Sequence, residues 1–256
     1  MCGIAGMIDL GKERRPVPRG VVARMAKAIV HRGPDEEGFL ERPGLHLANM
    51  RLSIVGLADG RQPISNEDGT VWVVFNGELF DYPEQKAHLE TKGHVFRTHT
   101  DTELIPHLWE VYREAMFDRL KGQYAFCLYD SRSHEFILGR DRSGICPLFT
   151  TVQKIDGTDW LFFCSEMKGL LASGLVPAVP DRRGLNHLFT FFAMPGPATV
   201  FEGISSVAPG TYLHFRPGSG SPAQLLQPKK YLPLNRLHYL VINFYMPLSC
   251  QRLHEN

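Results

Sequence analysis

Apolar positions fall into short runs whose spacing switches between the strand and helix periods. Residues 3–10 are an almost unbroken apolar run, which predicts a buried strand. Val21, Val22, Met25 and Ile29 recur at helical spacing and predict a helix over 18–30, stopped at His31-Arg32-Gly33-Pro34-Asp35, where Gly-Pro breaks it. The chain reads as extended over 45–54, then as a loop at 60–63. Val71–Phe75 is β-branched and aromatic, hence a buried strand, and Asn76-Gly77-Glu78 after it reads as a turn. A helix is expected at 83–92. Thr100 with Glu103 forms a capping-box pattern ahead of Leu104, Leu108, Val111 and Tyr112, which share one face of a helix to about 119. A hairpin is expected from 124–129 and 135–139 across residues 130–133. Further on come a strand at 160–164, helices at 165–173 and 181–193, and a late strand within 207–215 after a Pro-Gly turn. Strands outnumber helices and do not alternate with them strictly, which favours an α+β layered-sheet class. Residues 217–222 are linker-like in Pro, Gly and Ser, and the last stretch to Asn256 shows no clear period. The expected organisation is one domain over 1–216, then a linker and atypical tail over 217–256.

Composition narrows the possible functions. The 256 residues suffice for one large domain with a real core. A net charge of +1 offers no basic patch for nucleic acid or an anionic membrane. Five widely spaced cysteines, none in a Cys-x-x-Cys pair, favour neither a zinc cluster nor a disulfide framework. The front lacks the basic and apolar regions of a secretory signal, and the late apolar run at 239–246 falls far short of the ~18 residues of a membrane span. The expectation is a reduced, cytoplasmic protein with no nucleic-acid or membrane partner.

The chemistry starts at Met1-Cys2-Gly3-Ile4-Ala5-Gly6. If Met1 is removed, Cys2 carries a thiol and a free α-amine, and the amine can act as the thiol's own base because its ordinary pKa is roughly 7.7–8.0. Such a thiolate attacks carbonyl carbon and forms a thioester. If the target is an amino acid's carboxamide, the reaction needs an oxyanion hole and partners for a carboxylate and an ammonium. Asn76 and Gly77 can supply a side-chain amide and a backbone N–H. Arg51 can pair with a carboxylate, and Glu78 and Asp101 with an ammonium. Taken singly, each has a plainer reading: a turn, a surface charge, or an acid at a helix start. His99, Asp101 and Glu103 alternate, but helix capping explains them better than a metal site, and no metal is expected. His31 could serve as a base, but the N-terminal amine makes that unnecessary, and a plain turn histidine is the better reading.

The strings MCGIAG at 1–6, HRGPD at 31–35, RLSI at 51–54, QP at 62–63, NGE at 76–78, DTE at 101–103, GQYAF at 122–126, RDRSGICPL at 140–148, SEMKGL at 165–170, and FEGI at 201–204 with a later PG come in a set order. In that order the chain resembles the class II, N-terminal-nucleophile glutamine amidotransferase domain, in the form found at the front of asparagine synthase (glutamine-hydrolysing). The likeness covers about residues 1–216. It implies a four-layer αββα sandwich of the N-terminal-nucleophile hydrolase type. It also implies hydrolysis of L-glutamine to glutamate and ammonia through a Cys2 thioester, with the oxyanion held by Asn76 and Gly77. Arg51 would bind the α-carboxylate with backbone from Leu52, Ile54 and Val55 nearby, and Glu78 and Asp101 the α-amine. Arg32 would shape the pocket. No cofactor is implied in this chain; ATP and Mg would serve only a synthetase domain, acting in cis or in trans, where aspartate is amidated. A homodimer is usual for the family.

The chain departs from common family strings at Cys146, Asp81, Gln123-Tyr124 and Asn49-Met50, none of them in a chemical role, and the family's Ser-Gly-Gly-type phosphate loop does not occur in these residues. Two other readings stay open: an amidotransferase for a sugar or another amide acceptor, and a non-catalytic remnant or binding module.

Overall fold

Alternation along the strands sorts the buried side chains into three separate cores. The protein is described from a computed structural model covering residues 1–231. In β1 (Gly3–Asp9), Ile4 and Ile8 point to one core while Ala5 and Met7 point to another. After α1 (Val21–Ala28) come β2 (Glu36–Arg42), β3 (Leu45–Arg51), the short β4 (Ile64–Ser65) and β5 (Val71–Leu79). Next are α2 (Tyr82–Glu90), a 3₁₀ turn over Asp101–Glu103, α3 (Leu104–Tyr112), β6 (Gly122–Asp130) and β7 (Glu135–Arg140). The remainder is β8 (Phe149–Ile155), β9 (Thr158–Cys164), α4 (Met167–Ala172), α5 (Arg182–Phe191), β10 (Ser205–Ser206), β11 (Thr211–Phe215), α6 (Pro222–Leu225) and β12 (Pro228–Lys230).

The strands form two six-stranded antiparallel sheets, ordered β10-β8-β9-β1-β3-β2 and β12-β11-β7-β6-β5-β4. Between them lies a core of Ile4, Ile8, Leu47, Val74, Cys127, Leu138 and Phe163 among others. The outer face of the first sheet is covered by α1 and α4 through Val22, Met25, Ile29 and Leu170. The outer face of the second packs on α3 through Leu104, Leu108 and Trp109. Each fully buried side chain of this kind contributes roughly 1.5–3 kcal/mol, and the result is a helix–sheet–sheet–helix sandwich of four layers, as expected.

Several local expectations need correction. Asn76-Gly77-Glu78 is not a turn: β5 runs through it, pairing Asn76 with Ala125 and Gly77 with Tyr124. The glycine serves close approach, since a Cβ at Gly77 would sit 2.1 Å from the Gln123 carbonyl oxygen. The helix expected to 119 ends at Tyr112, where Arg113 takes φ +50°, and a 3₁₀ stretch follows to Asp118. The capping box is half formed. Thr100 caps Thr102, but the Glu103 carboxylate reaches back to the Arg97 and Thr98 N–H groups. Strands β2 and β8 were not anticipated, because charged residues in one and threonines in the other hide the alternation.

Beyond residue 216, α6 is closed by a capping box between Ser221 and Gln224, Leu225 reaches the central core, and β12 pairs with β11. Leu232–Asn256, expected as an atypical tail, lies outside the described residues. Among the described residues no helix is long and apolar enough to cross a membrane.

Candidate active site

Strand parity brings the predicted residues together. Cys2 continues the side of β1 that carries Ile4 and Ile8 into the space between the sheets, and Arg51 continues the side of β3 that carries Leu45 and Leu47. Asn76 and Glu78 continue the inward side of β5 set by Val74. Where these strands end, a cleft with about 70 Å³ of solvent-accessible space opens. Its walls include Cys2, Arg51, Leu52, Ile54, Val55, Gly77, Glu78 and Asp101. Of the nine residues predicted for the site only Asn76 is not on that surface; it is wholly buried between Phe75 and Gly77, which are.

Cys2 is half-buried, and its Sγ accepts a hydrogen bond from the Leu52 N–H at 3.4 Å. Burial pushes its thiol pKa up; the Leu52 N–H, the terminal ammonium and Arg51 work against that. Among the described cysteines the others are fully buried, with Cys146 and Cys164 pushed up to about 12 by desolvation. The backbone at Cys2 is fixed by Arg32, whose Nε donates to the Cys2 carbonyl at 2.9 Å while Nη1 pairs with Glu166 at 3.0 Å. Arg32 stands where it does because Gly33 packs on the end of β3, where a Cβ would lie 2.2 Å from the Met50 oxygen. His31 is exposed and bonded to Glu166 at 2.9 Å, so it is not placed as a base.

Arg51 is only 4% exposed, not a surface charge. It donates to Glu36 at 2.5 Å and to the Val55 and Gly56 carbonyls at 3.0 and 2.6 Å, holding the loop after β3. Three of its five donors are thereby used, and two remain for a ligand.

Asn76 is the unexplained group. Its side chain is 0% exposed, and neither Oδ1 nor Nδ2 has a hydrogen-bond partner. A buried polar group left unpaired costs roughly 1–3 kcal/mol, so a fold that keeps one holds a donor in reserve.

Asp101 opposes Arg51 chemically. It is 5% exposed; its Oδ2 accepts from the Leu79 N–H at 2.8 Å, and the Thr100 hydroxyl donates to Oδ1 at 3.2 Å. Burial pushes its carboxyl up and the neighbouring Glu78 charge adds to this, against those hydrogen bonds. A carboxylate held up in this way gains from a cation. The cleft therefore offers a guanidinium, two acids and a thiol, with the uncommitted Asn76 amide buried between two of its lining residues, a set suited to a zwitterionic amino acid with a reactive carbonyl on its side chain. His99, which alternates with Asp101 and Glu103, turns away to Asp59 at 2.7 Å.

Gln62, Thr100, Thr102 and Gln123 also line the cleft and were not assigned from the sequence. Gln62 ties β5 to the 3₁₀ turn, accepting from the Phe75 N–H at 2.6 Å and donating to Thr102 at 3.4 Å. The Gln-Pro string at 62–63 was its only signal.

A family profile described as "Glutamine amidotransferase domain" matches residues 1–226. The chain is 33% identical over 218 residues to "Asparagine synthetase [glutamine-hydrolyzing] 1" of Bacillus subtilis, covering 85% of this chain and 34% of that protein. It is 41% identical over 170 residues to "Asparagine synthetase [glutamine-hydrolyzing]" of Zea mays, covering 66% of this chain and 28% of that one. It thus spans about a third of the length of the curated relatives it matches. Among solved structures, the glutamine phosphoribosylpyrophosphate amidotransferase of Bacillus subtilis superposes with a TM-score of 0.60 at 17% identity, over 90% of this chain and 49% of that one. That likeness speaks to the fold alone, and it agrees with the expected four-layer αββα sandwich.

Proposed function

Because the chain belongs to the glutamine amidotransferase domain family, we propose that it hydrolyses the side-chain amide of glutamine through a thioester on Cys2 and supplies the ammonia to an ATP-dependent synthetase that amidates aspartate. Removal of Met1 frees the Cys2 α-amine. That amine takes the thiol proton as Sγ attacks the amide carbon. The developing oxyanion accepts from Asn76 Nδ2 and the Gly77 N–H, and this gives the buried, unpartnered Asn76 amide a role. The C–N bond breaks, the leaving nitrogen takes the proton from the amine, and ammonia departs. Water then adds to the thioester carbon, and its breakdown returns the proton to sulfur and releases glutamate. Arg51 binds the substrate α-carboxylate, and Asp101 and Glu78 its α-ammonium. The single observation carrying this reading is the convergence of Cys2, Arg51, Gly77 and Asp101 on one cleft.

The synthetase assignment is supported by the asparagine synthetases among the curated relatives. ATP and Mg²⁺ act there, in cis or in trans, and not in the cleft described above.

The test is release of glutamate and ammonia in equal amounts from glutamine by the purified chain. Asp101→Asn is expected to raise KM roughly 10- to 150-fold, the worth of one hydrogen bond to a charged group, with kcat changed only a few-fold, because the ammonium lies away from the reacting bond. KM in the unsubstituted chain rises as pH falls through the elevated Asp101 pKa, since only the ionised carboxylate holds the ammonium. Equal losses in kcat and kcat/KM, or no hydrolysis by a folded chain shown to lack Met1, would overturn the assignment.

A further inference from the structure

On the outer helical face of the second sheet, four side chains with metal-binding atoms converge. Glu67 comes from the turn between β4 and β5, His94 from the segment after α2, and His107 and Glu110 from successive turns of α3. The two imidazoles face each other, Nδ1 to Nδ1, at 3.1 Å. Glu67 Oε1 lies 3.3 Å from His94 Nδ1, and Glu67 Oε2 3.2 Å from His107 Nδ1. Glu110 Oε2 is 3.8 Å from each of those nitrogens. His107 is 0% exposed, and the buried Oε2 atoms of Glu67 and Glu110 have no hydrogen-bond donor.

We propose that Glu67, His94, His107 and Glu110 bind one divalent transition-metal ion, with zinc the best fit. The geometry carries the proposal. Tetrahedral zinc with ligand bonds near 2.0–2.2 Å separates its donor atoms by about 3.4 Å; the nitrogen–nitrogen and nitrogen–oxygen separations given above run from 3.1 to 3.8 Å, and one donor atom from each of the four residues lies within 4.8 Å of the others. The electrostatics agree. Two carboxylate oxygens without donors, one from Glu67 and one from Glu110, and two facing nitrogens leave an acceptor-rich hollow that a cation neutralises.

The surroundings are ordered as an outer shell orders ligands. Glu103, 1% exposed, lies 3.7 Å from His107 Nε2, on the ring side opposite the cluster. It is held by the Arg97 N–H at 2.8 Å and by the Thr98 N–H and hydroxyl at 2.7 and 2.6 Å. A proton on Nε2 facing this carboxylate leaves the His107 Nδ1 lone pair free for the metal. Arg132 donates to the other oxygen of Glu110 at 2.9 Å, which turns Oε2 inward.

The ion's role is structural. It ties the β4–β5 turn and α3 to the segment from His94, and that segment continues into Thr100 and Asp101 at the cleft wall. No compact motif announces it in the sequence, because the four ligands are spread from residue 67 to residue 110.

The test uses the metal-stripped full chain titrated with Zn²⁺ and, separately, with Co²⁺. The expected result is one equivalent bound with micromolar or tighter affinity, a tetrahedral Co²⁺ spectrum, and a nitrogen–oxygen coordination shell free of sulfur by X-ray absorption. Cys2→Ala binds the same, which separates this site from metal captured by the reactive thiol. His94→Ala weakens binding roughly a hundredfold or more while the metal-free melting temperature stays unchanged. Glu67→Gln, nearly isosteric and leaving no cavity, gives a like loss. No stoichiometric binding, a sulfur ligand, or undiminished affinity in His94→Ala and Glu67→Gln overturns the proposal and leaves a metal-free histidine–carboxylate network.

Discussion

Cys2→Ala is expected to lower glutamine hydrolysis at least about 10⁴-fold and to leave the fold intact, because loss of a nucleophile removes the covalent route altogether. The side chain is half-buried and its hydrogen bonds to Leu52 are long sulfur contacts, so stability should change by no more than about 1 kcal/mol. The remaining described cysteines are sealed in the cores with their thiols pushed well up, and none can substitute for it. The pH profile carries a second signature. Burial pushes the thiol up, and in the proposed mechanism its proton passes to the α-amine as sulfur attacks. The hydrolysis rate should therefore climb with pH through the range in which an α-amine deprotonates, ordinarily about 7.7–8.0. Steady-state rates of glutamate release, with circular dichroism and melting curves for both proteins, check this. Retained hydrolysis in folded Cys2→Ala would place the nucleophile elsewhere.

Asn76→Ala is expected to cut kcat roughly 10²- to 10³-fold, the usual cost of removing one oxyanion donor, with KM nearly unchanged. Its effect on stability distinguishes this from a packing role. A buried asparagine that served the fold would be hydrogen-bonded, and its loss would destabilise. This one has no partner at either side-chain atom. Deleting it relieves an unpaired polar group worth roughly 1–3 kcal/mol, which offsets the small cavity left behind. The denaturant midpoint should hold steady or rise while kcat collapses. A fall in stability with kcat preserved would assign Asn76 to the architecture.

Much of this was legible because period-two alternation and strand ends are local properties. The parity that sends Cys2, Arg51 and Asn76 into one space follows from runs already visible as strands. The misreadings share a physical cause. Asn76-Gly77 carries the composition of a turn, and only the ladder to β6 shows that the glycine serves close approach instead. The charged edge strand β2 and the threonine-bearing β8 owe their state to neighbours distant in sequence. Arg51 reads locally as a surface charge, but Glu36 and the carbonyls of Val55 and Gly56 bury it. Gln62 and the Glu67–His94–His107–Glu110 cluster exist only in three dimensions, since their partners lie many residues away.

The proposal that Cys2, freed by loss of Met1, is the nucleophile can be tested by covalent capture. The chain is incubated with a chloroketone analogue of glutamine, and the intact mass and peptide map are read for the form lacking Met1 and for a form retaining it. One adduct per chain on Cys2, blocked by excess glutamine and formed at least about tenfold more slowly when Met1 is retained, is the predicted result. An adduct on another residue, or equal labelling and equal glutamine hydrolysis with Met1 in place, would contradict the mechanism.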